Sequence, residues 1–331
     1  MTRTALIIGG TGQIGLATAA ALRADGWRVI AASTSGAAVP GAEAMKLDRE
    51  SPGAVAKAIG SGVDALIDTI AYDESHARQL LEVQADVGAL AVISSASVYR
   101  DADGRTLDEA RETGFPRFPL PIDEDQPTVE PGPATYSTRK AALERALLEA
   151  TRTALAILRP CAIHGPGSRH PREWFFVKRI LDKRRAVPLA WSGESRFHTT
   201  ATANIAALIR LVLASPATHV LNIADPEAPS VAEIGAAIAR AEGAELELIP
   251  FEGPPRGTVG DNPWAVPRPL VVSTARAEAL GYRPAAAYQD GLAETCASAT
   301  AMARAGVVFP DYINALFDYP AEDAWLAENR P

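Results

Sequence analysis

The run Leu6-Ile-Ile-Gly-Gly-Thr-Gly-Gln-Ile-Gly15 constrains this chain more than any other feature. An apolar stretch, Ala5 to Ile8, runs straight into three glycines spaced three apart, Gly9, Gly12 and Gly15, and helical composition follows from Ile14 to Ala24. In such a turn the first glycine permits the sharp passage from strand to helix. The second lets the backbone approach a pyrophosphate, and the third lets the helix pack closely. Free N–H groups at the helix N-terminus then attract the negative phosphates. The strand and helix context on either side makes this a candidate dinucleotide site rather than a simple turn.

The rest of the chain continues the theme. Short apolar runs alternate with helical segments: Arg28 to Ala32, Ala44 to Leu47, Ala65 to Thr69, Ala89 to Ser94 and Ala154 to Arg159 read as strands, and Tyr136 to Thr151 as a helix. A helix with Ser51 as N-cap and Pro52 in its first turn is expected after the third strand. This is the pattern of a doubly wound parallel α/β sheet covered on both faces. Beyond Gly165 the alternation is less regular, with helices expected around 174–183, 203–214, 230–241 and 288–303 and strands around 219–223 and 245–249. The chain is therefore expected to place a dinucleotide-binding domain in 1–165, with part of 196–224 returning to it, and a smaller α/β substrate cap mainly in 166–331.

Residues 100–130 are rich in Pro, Asp and Glu and too long for a simple connector. They are expected to form an excursion over the active site.

At 47% hydrophobic and 22% charged residues the chain is globular in composition. Its formal net charge of −8 argues against non-specific binding to polyanions. Two cysteines, Cys161 and Cys296, are too few for a disulfide framework. With no apolar run approaching a membrane span and no leader-like start, a cytoplasmic location is the expectation. The five histidines lack ligand-type spacing, so no metal is expected.

A second constellation is Tyr136-Ser-Thr-Arg-Lys140, whose four-residue spacing puts phenol and ammonium on one helix face. A nearby cation favours the phenolate, which points to proton exchange with a substrate near neutral pH. Ile93-Ser-Ser-Ala-Ser-Val-Tyr99 places hydroxyls at the carboxyl edge of a parallel sheet, where ligands of such sheets bind.

Taken together with Pro121-Ile-Asp-Glu-Asp-Gln-Pro127 and Leu158-Arg-Pro-X-X-X-X-Gly165, these motifs resemble the extended short-chain dehydrogenase/reductases, the NAD-dependent epimerase/dehydratase group. The resemblance is close over the first half of the chain and looser to about residue 285. It implies a Rossmann-type fold, a small-molecule or sugar-nucleotide substrate, and hydride transfer to or from a nicotinamide. It implies Ser95 as the residue orienting the substrate oxygen, Tyr136 as proton donor or acceptor, and Lys140 as its partner, which also holds the nicotinamide ribose. The cofactor contacts implied are Gly9, Thr11, Gly12, Gln13, Ile14 and Gly15 in the turn, together with Tyr136 and Lys140, with Asp48 beside the adenine. Capping of the following helix is the plain alternative for Asp48.

Departures from the family pattern are equally informative. Ser33 stands where an acidic residue would bind both ribose hydroxyls of NAD, which leans the cofactor toward NADP. Ala96 and Ser97 replace the acidic pair of the sugar-nucleotide dehydratases, which disfavours dehydration and leaves oxidation, reduction or epimerisation. In the cap, Arg196 of Gly193-Glu-Ser-Arg-Phe197 matches an arginine that grips a pyrophosphate, with a structural ion pair the even alternative. Ser95 and Tyr136 lie 41 positions apart, more than is usual in the family, and the 100–120 excursion accounts for it. The segment 70–83 is short for the helix that builds family dimers, so the oligomeric state is left open. Glu173 to Ile180 and Lys183-Arg-Arg-Ala-Val-Pro188 resemble the cap of chloroplast stem-loop-binding relatives. That makes a catalytically silent RNA-binding or nucleotide-sensing protein the rival reading, but a C-terminal cationic run complementing a helix dipole is the simpler one.

Overall fold

Seven of the apolar runs form one parallel sheet in the computed structural model, which describes residues 2–329. In chain order the strands are β1 (Thr4–Ile8), β2 (Arg28–Ser33), β3 (Glu43–Lys46), β4 (Ala65–Asp68), β5 (Ala89–Ile93), β6 (Ala154–Pro160), β7 (Ala162–His164), β8 (Ala186–Leu189), β9 (Thr199–Ala201), β10 (His219–Ile223) and β11 (Glu247–Pro250). The helices are α1 (Gln13–Ala24), α2 (Ala54–Ile59), α3 (Glu74–Val83), α4 (Ala110–Thr113), α5 (Tyr136–Ala150), α6 (Trp174–Leu181), α7 (Thr202–Ala214), α8 (Val231–Ala241), α9 (Ala275–Ala279), α10 (Leu292–Arg304), α11 (Asp311–Asn314) and α12 (Tyr319–Asn329).

The main sheet runs in the order β10-β6-β5-β4-β1-β2-β3. The chain leaves β1 toward β2 and β3 and then returns to β4 on its other side, with Ile8 level with both Ala32 and Asp68. This reversal is the switch point at which the carboxyl ends of a doubly wound sheet bind ligands. Strands β4 and β5 are buried along their whole length, as parallel strands covered on both faces must be. On one face Leu6, Ile30, Leu66, Leu90 and Ile157 pack with Leu80 of α3 and Leu143 and Leu147 of α5. The fold is thus a Rossmann-type α/β sheet.

The described residues divide into two compact units. The first takes those within Met1–Cys161, Thr202–Ala224 and Val272–Ala285 and contains the main sheet. Val272–Ala285 belongs to it because Ser273 N donates to Ile122 O at 2.7 Å and Asn204 Oδ1 accepts from Ala285 N at 2.7 Å. The second takes those within Ala162–Ala201, Asp225–Val271 and Ala286–Pro331. Its core gathers Trp174, Phe175 and Phe176 of α6 with Ile234 and Ile238 of α8 and Leu292 and Cys296 of α10.

Two elements start later than expected, for local reasons. Helix α2 begins at Ala54 because the Asp48 carboxylate accepts from Glu50 N (3.1 Å) and Ser51 Oγ (3.3 Å), closing a turn through Ser51 and Pro52. Asp48 therefore serves that turn and does not cap the helix. The late helix begins at Leu292, and Tyr288 is instead buried with its hydroxyl donating to Glu173 at 3.3 Å.

Residues 100–130 carry only the four-residue α4, yet they are well tied. The buried Asp101 carboxylate accepts from Asp103 N, Arg105 N and Arg117 N at 2.8–3.0 Å. Burial pushes its pKa up, but these amides outweigh it and hold the group below its usual value. At the base, Arg100 N donates to Pro127 O and Val129 N to Val98 O.

Candidate active site

Both halves of the proton-handling constellation are set by how two elements begin. After β5 the chain turns at Ser94, whose N–H reaches Leu158 O on β6 at 2.7 Å. Ser95 then caps a single 3-10 turn, its hydroxyl accepting from Ser97 N at 3.1 Å. Helix α5 starts at Tyr136 through a capping box in which Thr135 and Thr138 satisfy each other's backbone N–H groups. Ser95 and Tyr136, remote in sequence, come near enough that the Ser95 hydroxyl acts on the phenol. Lys140 follows one turn along α5, its Nζ 5.8 Å from the Tyr136 ring centre.

Lys140 is deeply buried, and its ammonium donates to Ala71 O at 2.5 Å and Ile93 O at 2.9 Å. Burial pushes its pKa down to about 8, against the attraction of Asp68 and Glu144. The phenol of Tyr136 shifts the other way. Desolvation raises it, the nearby Ser95 hydroxyl opposes this, and Tyr72 and Asp108 add to the rise. The direction is opposite to the cation-lowered phenol expected from the spacing: the ammonium is directed at two backbone carbonyls, and Tyr136, 40% exposed, is only partly desolvated.

Sequence reasoning overlooked a buried pair beneath Lys140. Asp68, at the end of β4, is fully buried and bonds Arg49 Nη1 at 2.7 Å, while Arg49 also donates to Gln79 Oε1. A lone carboxylate closing the apolar run Ala65–Ile67 was the available signal. A second buried network holds the loop after β5. Arg159 pairs with Glu144 and donates to Tyr99 Oη, which in turn donates to Asn222 Oδ1 at 2.7 Å.

In the glycine turn, Gly9 N and Gly10 N both donate to Ala32 O. Gly10, outside the three-spaced pattern, is needed because a Cβ there would come 2.8 Å from the Ala31 backbone. At Gly15 a Cβ would lie 2.3 Å from Gly9 O and 2.6 Å from Gly10 Cα. Gly15→Ala is expected to open the turn, lowering stability by about 1–3 kcal/mol, read as a fall in Tm, with loss of any dinucleotide affinity. Gly12 caps α1 without a side chain, leaving the first-turn amides uncapped. Gln13 Oε1 is buried with no partner, Thr11 is half-buried, Ile14 is buried, and the apolar Ile70 beside Gly9 is 48% exposed. Open amides, an orphaned acceptor and an uncovered apolar side chain fit a dinucleotide's phosphates and ring.

Of the remaining candidates, Ser33 ends β2 with its hydroxyl accepting from Gly36 N at 3.1 Å and 3.2 Å from Ser35 Oγ. Its register partner on β3 is the exposed Lys46. Asp48 is exposed in the turn described above. Arg196 belongs to the second unit, where Nη1 donates to Ala228 O at 2.5 Å and pairs with Glu233 at 3.1 Å. In the cationic run of that unit, Arg184 pairs with Asp323 and Glu322. No helix among the described residues is long and apolar enough to cross a membrane.

No curated protein matches the chain. Among solved structures it is similar to MoeE5 in complex with UDP-glucose and NAD, at 21% identity and TM-score 0.65, covering 91% of this chain and 99% of that one. The UDP-N-acetylglucosamine 4-epimerase from Bacillus cereus matches at 15% identity and TM-score 0.68, covering 89% and 99%. The UDP-glucose 4-epimerase of Thermus thermophilus, complexed with NAD, matches at 20% identity and TM-score 0.66, covering 89% and 98%. At these identities the likeness is one of fold. The model of the NAD dependent epimerase/dehydratase family matches residues 5–224, which span the glycine turn, Ser95, Tyr136 and Lys140. The chain belongs to the NAD-dependent epimerase/dehydratase family.

Proposed function

We propose that this protein is an NAD(P)-dependent oxidoreductase or epimerase that moves a hydride at a carbinol or carbonyl carbon of a small or sugar-nucleotide-like substrate. The observation that carries this reading is the placing of Ser95 at the carboxyl edge of β5, with Tyr136 at the start of α5 and buried Lys140 one turn behind it, bonded to Ile93 O at the end of β5. A nicotinamide dinucleotide supplies the hydride acceptor or donor. Ser95 orients the substrate oxygen, and Tyr136, whose raised pKa keeps it protonated at neutral pH, delivers the proton to that oxygen or recovers it. Lys140 supplies a fixed positive charge behind the phenol and the ribose contact. With Ala96 and Ser97 after Ser95, dehydration is disfavoured.

The structural neighbours named above include proteins solved with NAD and a UDP-sugar, which makes sugar nucleotides the first substrates to test. Incubation with UDP-hexoses and NAD(P)+ is expected to give an epimer or an oxidised product, separable by chromatography. A complete absence of conversion, with no change in nicotinamide absorbance on adding any sugar nucleotide, contradicts this substrate class.

For the cofactor we favour NADP. Ser33 removes the acidic residue that repels a 2′-phosphate, and Lys46 beside it offers a cation on the neighbouring strand. Ser33→Asp is expected to weaken NADPH at least about tenfold relative to NADH, since one interaction of about 1.4 kcal/mol suffices for that ratio. An unchanged ratio of the two dissociation constants argues that the 2′ position lies elsewhere.

A further inference from the structure

The excursion at 100–130 sends one carboxylate to the start of the proton-handling helix. Asp108 Oδ2 accepts from Ser137 N at 2.8 Å, across 29 positions of sequence. Ser137 is the residue after Tyr136 and is fully buried, so Asp108 caps α5 from outside at the point where the helix dipole is positive. Asp108 itself is exposed, in a loop whose fold is fixed by Asp101 and not by the helix it caps.

We propose that Asp108 is a positioning residue for Tyr136: docked on the first turn of α5, it ties the excursion to the proton-handling helix and places a negative charge at the end of that helix which carries the phenol. The inference rests on Tyr136 being the acid/base group. The groups around the phenol are Ser95; Tyr72, with its ring 5.7 Å away; Lys140 on α5; and Asp108. Arg139 stacks over Tyr72 at 5.5 Å and donates to Pro133 O. Asp108 is the carboxylate among these, and its negative charge opposes phenolate formation.

The test uses the full-length protein labelled with 13C at the tyrosine ring carbon bearing the hydroxyl, the Tyr136 signal being assigned by its loss in Tyr136→Phe. Asp108→Asn keeps an oxygen to accept from Ser137 N but removes the charge. Its Tyr136 signal is expected to titrate at lower pH than in the wild type, by about half a pH unit or more, with Tm nearly unchanged. Asp108→Ala, which loses cap and charge together, is expected to show the same shift with a lower Tm. Identical Tyr136 titration in the wild type and Asp108→Asn overturns the proposal and leaves Asp108 a helix cap alone. Because this readout needs neither cofactor nor turnover, it is separate from the test of Tyr136 as acid/base: full activity of Tyr136→Phe removes the functional reading whatever the titration shows.

Discussion

Tyr136→Phe is expected to lower turnover by about 10²–10⁴-fold, the usual contribution of a positioned general acid, while NADPH binding stays close to that of the wild type. The phenylalanine ring keeps the contact with Tyr72 and removes only the hydroxyl on which Ser95 acts. The loss should therefore appear in kcat more than in KM, as for an interaction made in the transition state. The wild-type pH profile carries a related signature. The phenol is raised, so it remains a proton donor through neutral pH, whereas Lys140 loses its proton as pH passes about 8. Reduction is expected to fall off above that value as the positive charge behind the phenol is lost. Steady-state kinetics of both proteins across pH checks the two expectations together.

The largest stability effect is expected at Asp68. Asp68→Asn leaves the buried Arg49 guanidinium with the Gln79 amide but without its carboxylate, and breaking a buried pair in this way costs about 3–5 kcal/mol. Asn can still accept from Ile70 N, as Asp68 Oδ1 does at 3.0 Å, so the change isolates the charge. The same substitution reaches the active site, because Asp68 is the largest influence holding Lys140 in its charged form against burial. The alkaline limb of activity should move below about pH 8 in the variant. Denaturant unfolding measures the first effect and the pH profile the second; a stable variant with an unchanged profile would show that neither charge depends on Asp68.

The physics of periodicity explains which parts of this molecule could be read from its residues. Buried parallel strands must be apolar throughout, so β1, β4 and β5 stand out from the polar turns around them, and the glycine spacing marks where β1 passes into α1. Ser95, Tyr136 and Lys140 were legible as two local patterns, but their meeting depends on β5 and α5 being neighbours in space. What local patterns cannot convey is pairing between distant residues. Arg49 with Asp68, Arg159 with Glu144, Lys46 beside Ser33 and Asp108 on Ser137 are each created by strand order or by the excursion's path. The raised pKa of Tyr136 belongs to the same class, since it follows from how the fold surrounds the phenol. Turn chemistry accounts for the late start of α2, where the Asp48 side chain competes with the helix for backbone and hydroxyl donors.

The proposed function requires the glycine turn to bind a nicotinamide dinucleotide for use by Ser95, Tyr136 and Lys140. Its most direct test is side-by-side titration of the purified protein with NADPH and NADH, followed by nicotinamide fluorescence. Saturable binding in the micromolar range, tighter for NADPH and abolished by Gly15→Ala, is the predicted result. Failure of both dinucleotides to bind would rule that function out.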